Sequence, residues 1–431
     1  MRKRVLFIAH CHPDQHMGGV RQRRIARLLP RHGWDVTVLT HPRDETSVVV
    51  EPTDGVRVVE VTAPDLTAIY RRLSGGSAER KPSVATGKAQ PIAKISWLTN
   101  MINRWLLIPD KFIPWRKPAF RRGLELLHEE KYDAIFASLD PRTSLLVAAD
   151  LSERTGVPCV LEYRDIWIGN PYLQLGQPTP VHRWLHRRLE RSVLSRAHRV
   201  STVCEGIAES LSANYAGVMR APVALNYNFF DPGEFPPRAA ASSGARPFVV
   251  SYTGAMYLSR NPHRFFEGMR AFIEARKLSP EQFRFRWAGG ASGIKDLDSV
   301  IERTGVRRYM DFLGQIPHRE ALRLMMESDA ALLLQAPDDA IHIPGKLFEA
   351  LGARTPLLAL AHPCEVTRII ERCRAGVVCP HTPESIAAAL EQFEQRSRQG
   401  LRWEFNESAI EEFSADAAVA RLARLFADAG R

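Results

Sequence analysis

The sequence predicts an α/β protein made of two doubly wound halves, and three observations carry that expectation. Its 431 residues exceed what one ordinary hydrophobic core organises. A β-α-β pattern opens the chain, and the same alternation restarts after a loop rich in Pro, Ala and Ser near residue 240. No run approaches the roughly 18–20 uninterrupted apolar residues that would cross a bilayer.

In chain order, VLFIA reads as a first buried strand, VRQRRIARLLPRHG as a helix closing at Gly33, and DVTVLT as a second strand. Residues 74–91 are rich in Ser, Gly, Lys and Pro and read as a surface loop. The following stretch sets Trp97, Trp105, Phe112 and Trp115 beside Arg104, Lys111, Arg116, Lys117, Arg121 and Arg122. That mixture suits either a membrane interface or a buried helix pair with arginines on its wet edge. Alternation resumes with YDAIFAS, a helix from about Thr143, the strand VPCVLEY, a basic helix over 181–196 and the strand HRVSTVC. The second half repeats it from FVVSYTG through FRFRWAGG, YMDFLGQ, AALLLQ, PLLALA and AGVVCP. The expected division is 1–230, a linker over 231–247, a second domain over 248–407, and a terminal segment over 408–431. Open α/β sheets bind ligands at the carboxyl ends of their strands, so function is expected in a cleft between the halves.

Hydrophobic residues make up 45% and charged residues 25%, as in a globular protein. The net charge is +11, and its excess is N-terminal: residues 1–230 hold 33 Lys or Arg against 22 Asp or Glu, the remainder 26 of each. Such a surface suits an anionic membrane or substrate. Nucleic acid is not an expected partner, because no zinc finger, basic recognition helix or aromatic RNP-type strand accompanies the charge. The six cysteines form no C-x-x-C pair and read as reduced structural thiols. The opening apolar run is shorter than a signal peptide's core, so the expected location is cytoplasmic, with peripheral contact at the inner face of the membrane.

The most specific local pattern is PDDAIHIPGKLFEALGARTPLLAL, residues 337–360. Pro344 and Gly345 open a helix, Lys346 stands in its first turn, and Glu349 follows three residues on, near the same face. A helix start offers N–H groups and a positive dipole end to a diphosphate, Lys346 adds a full charge, and Glu349 can accept from ribose hydroxyls. In YTGAMYLSRNP, Gly254 ends a strand where a ligand can approach the backbone, and Arg260 follows in the loop. In the first half, His10, His12, Gly18, Gly19 and Arg21 form the loop after the first strand, and Glu162, Arg164 and Asp165 close VPCVLEYRD. The latter group is either a substrate-facing cluster or a structural ion pair.

These motifs resemble the retaining glycosyltransferases of the large GT-B group, family 4-like, which includes enzymes of bacterial exopolysaccharide and O-antigen synthesis. The resemblance rests on HCHPDQHMGGV, VPCVLEYRD, NYNFFDPGEF, the Y-x-G loop, GQIPHREALRLMMESDAALLL and, most specifically, IPGKLFEALGARTPLLAL. It implies two Rossmann-like domains, with FSADAAVARLARLFADAG as the helix crossing back to the first. It also implies transfer of a sugar from a nucleotide diphosphate donor, UDP- or GDP-linked, to a hydroxyl of a glycan or lipid-linked glycan with retention and without a metal. Arg260 and Lys346 would hold the phosphates and Glu349 the ribose. Gly18, Gly19, Gly254, Gly345 and Leu347 would line the donor. Asp338, Asp339 or His342 would replace a sugar-binding Glu that relatives carry eight positions before Glu349, where this chain has Ile341. Asp165, Glu162 or the leaving phosphate would take the acceptor proton, with Arg164 standing where relatives often have His.

Two other functions fit parts of the chain. VLFIAHCHPD resembles the strand and loop of zinc-dependent sugar N-deacetylases, although that family's second Asp is replaced by Gln15. A non-catalytic scaffold of the same fold is the other, and an epimerase would share donor binding without an acceptor. Asp296 and Asp298 form a D-x-D at a helix start, where acidic residues are ordinary.

Overall fold

The computed structural model describes residues 2–12, 20–42, 55–63, 105, 107–168, 179–238, 246–257, 260–294, 296–336 and 341–430. The chain divides into two compact units, one of Met1–Thr202, Ile207–Leu225 and Ala420–Arg431, the other of Val203–Gly206 and Asn226–Val419.

The first unit is a parallel sheet of β1 (Lys3–Ala9), β2 (Trp34–Thr40), β3 (Arg57–Glu60), β4 (Ala134–Ser138), β5 (Cys159–Tyr163), β6 (Arg199–Thr202) and β7 (Ala224–Leu225), in the order β3-β2-β1-β4-β5-β6-β7. Residues 5–9 of β1 and all of β4 and β5 are buried, which is why their apolar residues do not alternate with exposed polar ones, Ser138 and Glu162 being buried too. The expected first helix runs Val20–Leu28 and tightens to a 3-10 turn over Leu29–His32 before Gly33 at φ 83°. The helix Arg142–Thr155 likewise ends on left-handed Gly156. Pro180 and the Thr179 side chain, which accepts from the His182 N–H, start the helix Pro180–Arg196.

The aromatic and cationic stretch divides. Trp97 and Arg104 lie outside the described residues; Trp105 is 46% exposed, whereas Trp115 is fully buried and donates from Nε1 to Val61 O at 2.9 Å. At Trp115 the buried-helix expectation holds.

The second unit is a parallel sheet of β8 (Phe248–Thr253), β10 (Phe283–Ala288), β12 (Met310–Gly314), β13 (Ala330–Leu334), β14 (Leu357–Leu360) and β15 (Gly376–Cys379) in the order β12-β10-β8-β13-β14-β15, with a two-strand ladder of β9 (Met256–Tyr257) and β11 (Ala291–Ser292). Successive residues of β13 serve opposite faces. Leu332 and Leu334 join Phe265, Phe283 and Phe285 in one cluster, while Ala331 and Leu333 join Leu347, Phe348 and Leu351 in the other. Helices therefore cover both faces. On the first, Gly268 lets the helix His263–Arg276 meet the helix Pro383–Arg398 so closely that a Cβ there would stand 2.5 Å from Ile386 Cβ. Asp296 and Asp298 flank the start of the helix Leu297–Thr304 and pair with His263 and Arg307, as ordinary helix-start acids do.

The helix Ala415–Ala429 returns the chain to the first unit. Its Phe426 ring packs against Phe7, Trp34 and Phe136 at 6.4, 5.3 and 5.4 Å. All six cysteines are free thiols, and among the described residues no helix is long and apolar enough to cross a membrane.

Candidate functional site

In the second unit the direction of strand succession reverses between β8 and β13, and a parallel sheet opens a ligand crevice at such a reversal, outside the carboxyl ends. Gly254 closes β8 there. Its N–H donates to Ala288 O at 2.6 Å, Gly289 N–H donates to Gly314 O at 2.7 Å, and Met256 N–H donates to Gly290 O at 2.9 Å, so three strand ends are laced together. A side chain would not fit at Gly289, and at Gly254 it would displace Lys346. A Cβ on Gly289, at φ 145°, would lie 2.0 Å from Gly254 O, and one on Gly254 would lie 2.2 Å from Lys346 Cε.

Lys346 thus lies directly across the end of β8. It projects from the first turn of the helix Gly345–Ala353, whose N-cap, Pro344, supplies no side-chain cap. Arg260 is half-buried with its guanidinium 5.0 Å from the Tyr257 ring centroid. Its charge also reaches Tyr252, whose phenol burial pushes up to about 12 against the pull of Arg260. Lys346 therefore reaches the strand end from a helix start, and Arg260 follows in the loop after β9.

Glu349, one turn along the helix from Lys346, is paired: His318 Nε2 lies 3.0 Å from Glu349 Oε1, and His318 Nδ1 lies 3.8 Å from Glu234 Oε2. Sequence reasoning did not single out His318, because the pairing joins two helices and leaves no spacing signal. His342 contributes its carbonyl, which accepts from Gln335 Nε2 at 3.0 Å, so buried Gln335 fastens the approach to the helix. Leu347 corrects the expected donor set: its side chain is fully buried beside Phe348 and Leu351, and its N–H donates to Pro344 O at 3.0 Å. Asp338 and Asp339 lie outside the described residues, as do Gly18 and Gly19.

The first unit has its own reversal, between β1 and β4. Glu162 in β5 is fully buried. Arg21 donates to its Oε1 from Nη2 at 2.6 Å and Nε at 3.1 Å, and Ser138 Oγ donates to its Oε2 at 2.8 Å. Burial alone would raise this carboxyl's pKa, but the charge and hydrogen bonds of Arg21, aided by Arg164 and Ser138, outweigh it and hold the group below its ordinary value. Glu162 is therefore a structural ion pair, which corrects its inclusion among proton acceptors: both oxygens are engaged and neither faces solvent. Arg164 donates from Nε to Leu139 O at 2.6 Å and from Nη2 to Asp140 O at 3.2 Å, fixing the turn after β4. Asp165 remains half-buried at the strand end. It acts electrostatically on Asp140, whose carboxyl burial pushes up, with Arg142 pulling it down and Asp165 and Asp110 adding to the rise.

His10 sits among rings, 4.1 Å from Phe112 and 5.2 Å from Trp115, and burial, His41 and Lys111 together lower it to about 3. His12 is buried with Nε2 3.3 Å from Glu60. Among the described residues no three His, Cys, Asp or Glu side chains assemble into a metal-binding group.

Two family models account for most of the chain: a glycosyl transferase 4-like domain matches residues 18–228 and the glycosyl transferases group 1 model matches 247–395. Solved structures share the fold along nearly the whole length. A sucrose-phosphate synthase from Thermosynechococcus elongatus is 14% identical, with 99% of this chain and 98% of that one covered at a TM-score of 0.63. A lipopolysaccharide outer core galactosyltransferase in its apo form is 12% identical, with 98% and 99% covered and a TM-score of 0.56. A UDP-GlcNAc 2-epimerase from Methanocaldococcus jannaschii is 10% identical, with 98% and 99% covered and a TM-score of 0.50. No curated protein matches the sequence. Two Rossmann-like units with these matches define the GT-B class. The chain belongs to the family 4-like GT-B glycosyltransferases, and membership carries with it a nucleotide-sugar donor and a glycan acceptor. The deacetylase reading gives way to it, since glycosyltransferase models match in both halves.

Proposed function

We propose that the protein transfers a hexose with retention from a UDP- or GDP-sugar, without a metal, to a hydroxyl on a glycan or lipid-linked glycan of a bacterial surface polysaccharide. The observation that carries the donor half is Lys346 lying across Gly254 at the strand reversal. Lys346, Arg260 and the helix start at Gly345 would neutralise the diphosphate as the anomeric carbon–oxygen bond breaks, which is where charge develops. The acceptor oxygen forms the new bond on the same face, and its proton passes to Asp165 or to the departing phosphate. Glu349 would accept from the ribose hydroxyls, and Asp338, Asp339 or His342 would contact the sugar.

A thermal-shift screen with UDP, GDP, ADP and dTDP, with and without a chelator, tests the donor assignment. One nucleotide should stabilise the wild type by mass action in both conditions, and Lys346→Ala and Arg260→Ala should each lose that shift and turn over more slowly. No response to any nucleotide would favour a non-catalytic scaffold. A binder that converts its donor without an acceptor would be an epimerase, and the anomeric configuration of the product, read by NMR, decides retention.

Contact with the inner face of a membrane is supported by the helix Pro180–Arg196. Its inward stripe mixes buried His182, His186 and Glu190 with Val193 and Leu194, while Val181 and Trp184 are about half exposed beside exposed Arg183, Arg187, Arg188 and Arg191. Among the described residues no ion pair holds those four arginines. Co-sedimentation with phosphatidylglycerol vesicles at low salt, weakened by Trp184→Ala and absent with phosphatidylcholine, is expected. Equal recovery with both lipids removes the membrane from the proposal.

A further inference from the structure

We propose that His318 is a positioning residue for nucleotide recognition: its imidazole holds the Glu349 carboxylate in the orientation that accepts the ribose hydroxyls of the donor. The inference rests on the reading of Glu349 as the ribose acceptor and adds a residue through which that contact is made selective.

A hydrogen bond of 3.0 Å between an imidazole nitrogen and a carboxylate requires that His318 Nε2 carry the hydrogen and donate it to Glu349 Oε1. A half-buried glutamate on a helix surface otherwise samples several rotamers, and ordering it on ligand arrival costs entropy. Holding one oxygen in advance removes part of that cost, while a carboxylate retains further lone-pair directions for hydroxyl donors.

His318 is itself well placed to act as a fixed point. It is the first residue of the helix His318–Met326, directly after Pro317, whose ring restricts the approach of the chain. One turn and two turns on, Leu322 and Met325 are buried, and Met325 belongs to the same apolar cluster as Leu347, Phe348 and Leu351 around Glu349. Two helices sharing one core thus set the His318–Glu349 distance. On the far side of the ring stands Glu234, in the turn Pro232–Glu234 that the Asp231 side chain braces by accepting from Gly233 N–H at 2.9 Å. The result is a row, Glu234–His318–Glu349, in which the middle member hydrogen-bonds Glu349 and has the Glu234 carboxylate 3.8 Å beyond its Nδ1.

The test compares the nucleotide that stabilises the wild type, out of UDP, GDP, ADP and dTDP, with its 2′,3′-dideoxy counterpart, by calorimetry on the full chain. The wild type should prefer the nucleotide that carries its hydroxyls, and Glu349→Ala should abolish that preference. His318→Ala should weaken the hydroxylated nucleotide about tenfold, or about 1.4 kcal/mol, and leave the dideoxy form within about twofold. His318→Gln, whose amide can donate from a similar place, should restore most of the difference. If Glu349→Ala keeps the preference, the ribose reading itself fails. If Glu349→Ala loses it while His318→Ala keeps it, or weakens both ligands equally, His318 merely staples two helices and the positioning proposal is overturned with the ribose reading intact. A wild type that binds no nucleotide overturns both.

Discussion

Lys346 and Gly254 depend on each other, and that dependence separates recognition from folding. Gly254→Ala puts a methyl group where Lys346 Cε now lies, but the obstacle is the far end of a flexible side chain, which can swing aside. We therefore expect a melting temperature close to wild type and a diphosphate affinity reduced about tenfold or more, since a charge-assisted contact contributes about 1.5–3 kcal/mol. Equal loss of stability and affinity would mean that the glycine serves the fold alone. Glu162 should behave in the opposite way. Glu162→Gln breaks the buried pair with Arg21, a loss of about 3–5 kcal/mol in comparable pairs, so the melting temperature should fall while nucleotide binding by the second unit persists. A variant that melted like wild type but lost turnover would return Glu162 to the chemistry. The places of Lys346 at a helix start and Gly254 at a strand end were legible in the sequence because such positions leave local marks. The state of Glu162 was not, because its partner comes from another element 141 residues away.

The helix Pro180–Arg196 shows what periodicity does and does not reveal about an element. Its extent was readable to within a residue, as a basic helix over 181–196. Its inward face was not, because that face carries His182, His186 and Glu190 where an apolar stripe is the rule. Each has a separate partner, and His182 Nδ1 lies 2.7 Å from Thr179 Oγ1. Trp167 Nε1 donates to His186 Nδ1 at 2.9 Å, and Tyr215 Oη donates to a Glu190 oxygen at 2.8 Å. Burial raises Glu190 to about 7, although Tyr215, Arg142 and Arg187 pull it down. A raised carboxyl keeps its proton in the folded state after the unfolded chain has released it. Its contribution is therefore complete below the ordinary value of 4.5 and is lost as pH climbs through 7, up to about 3 kcal/mol. His186, lowered to about 4 by burial and then by Arg142 and His182, has the opposite slope: its contribution is present above 6.5 and is lost as pH falls toward 4. Melting curves between pH 5 and 8 should show Glu190→Gln gaining on the wild type as pH rises; a constant difference would mean that Glu190 is ionised throughout.

At the scale of the whole molecule, the alternation of strands and helices foretold both sheets, and the restart after the Ala- and Ser-rich loop foretold that there are two. Strand order was beyond the sequence, because nothing local says that β4 lies beside β1 or β13 beside β8, and those adjacencies create the two reversals. The terminal helix was expected from the family resemblance, whereas its aromatic partners Phe7, Trp34 and Phe136 were not legible. That packing has a consequence for how the protein is made. The ribosome releases Phe7 and Phe136 long before it has read the codon for Phe426, so the first unit leaves the exit tunnel with a gap among its rings that waits for the stretch carrying Phe426. A premature stop just before that stretch would spare the whole second sheet and still leave the first with an exposed aromatic hollow, open to chaperones and proteases.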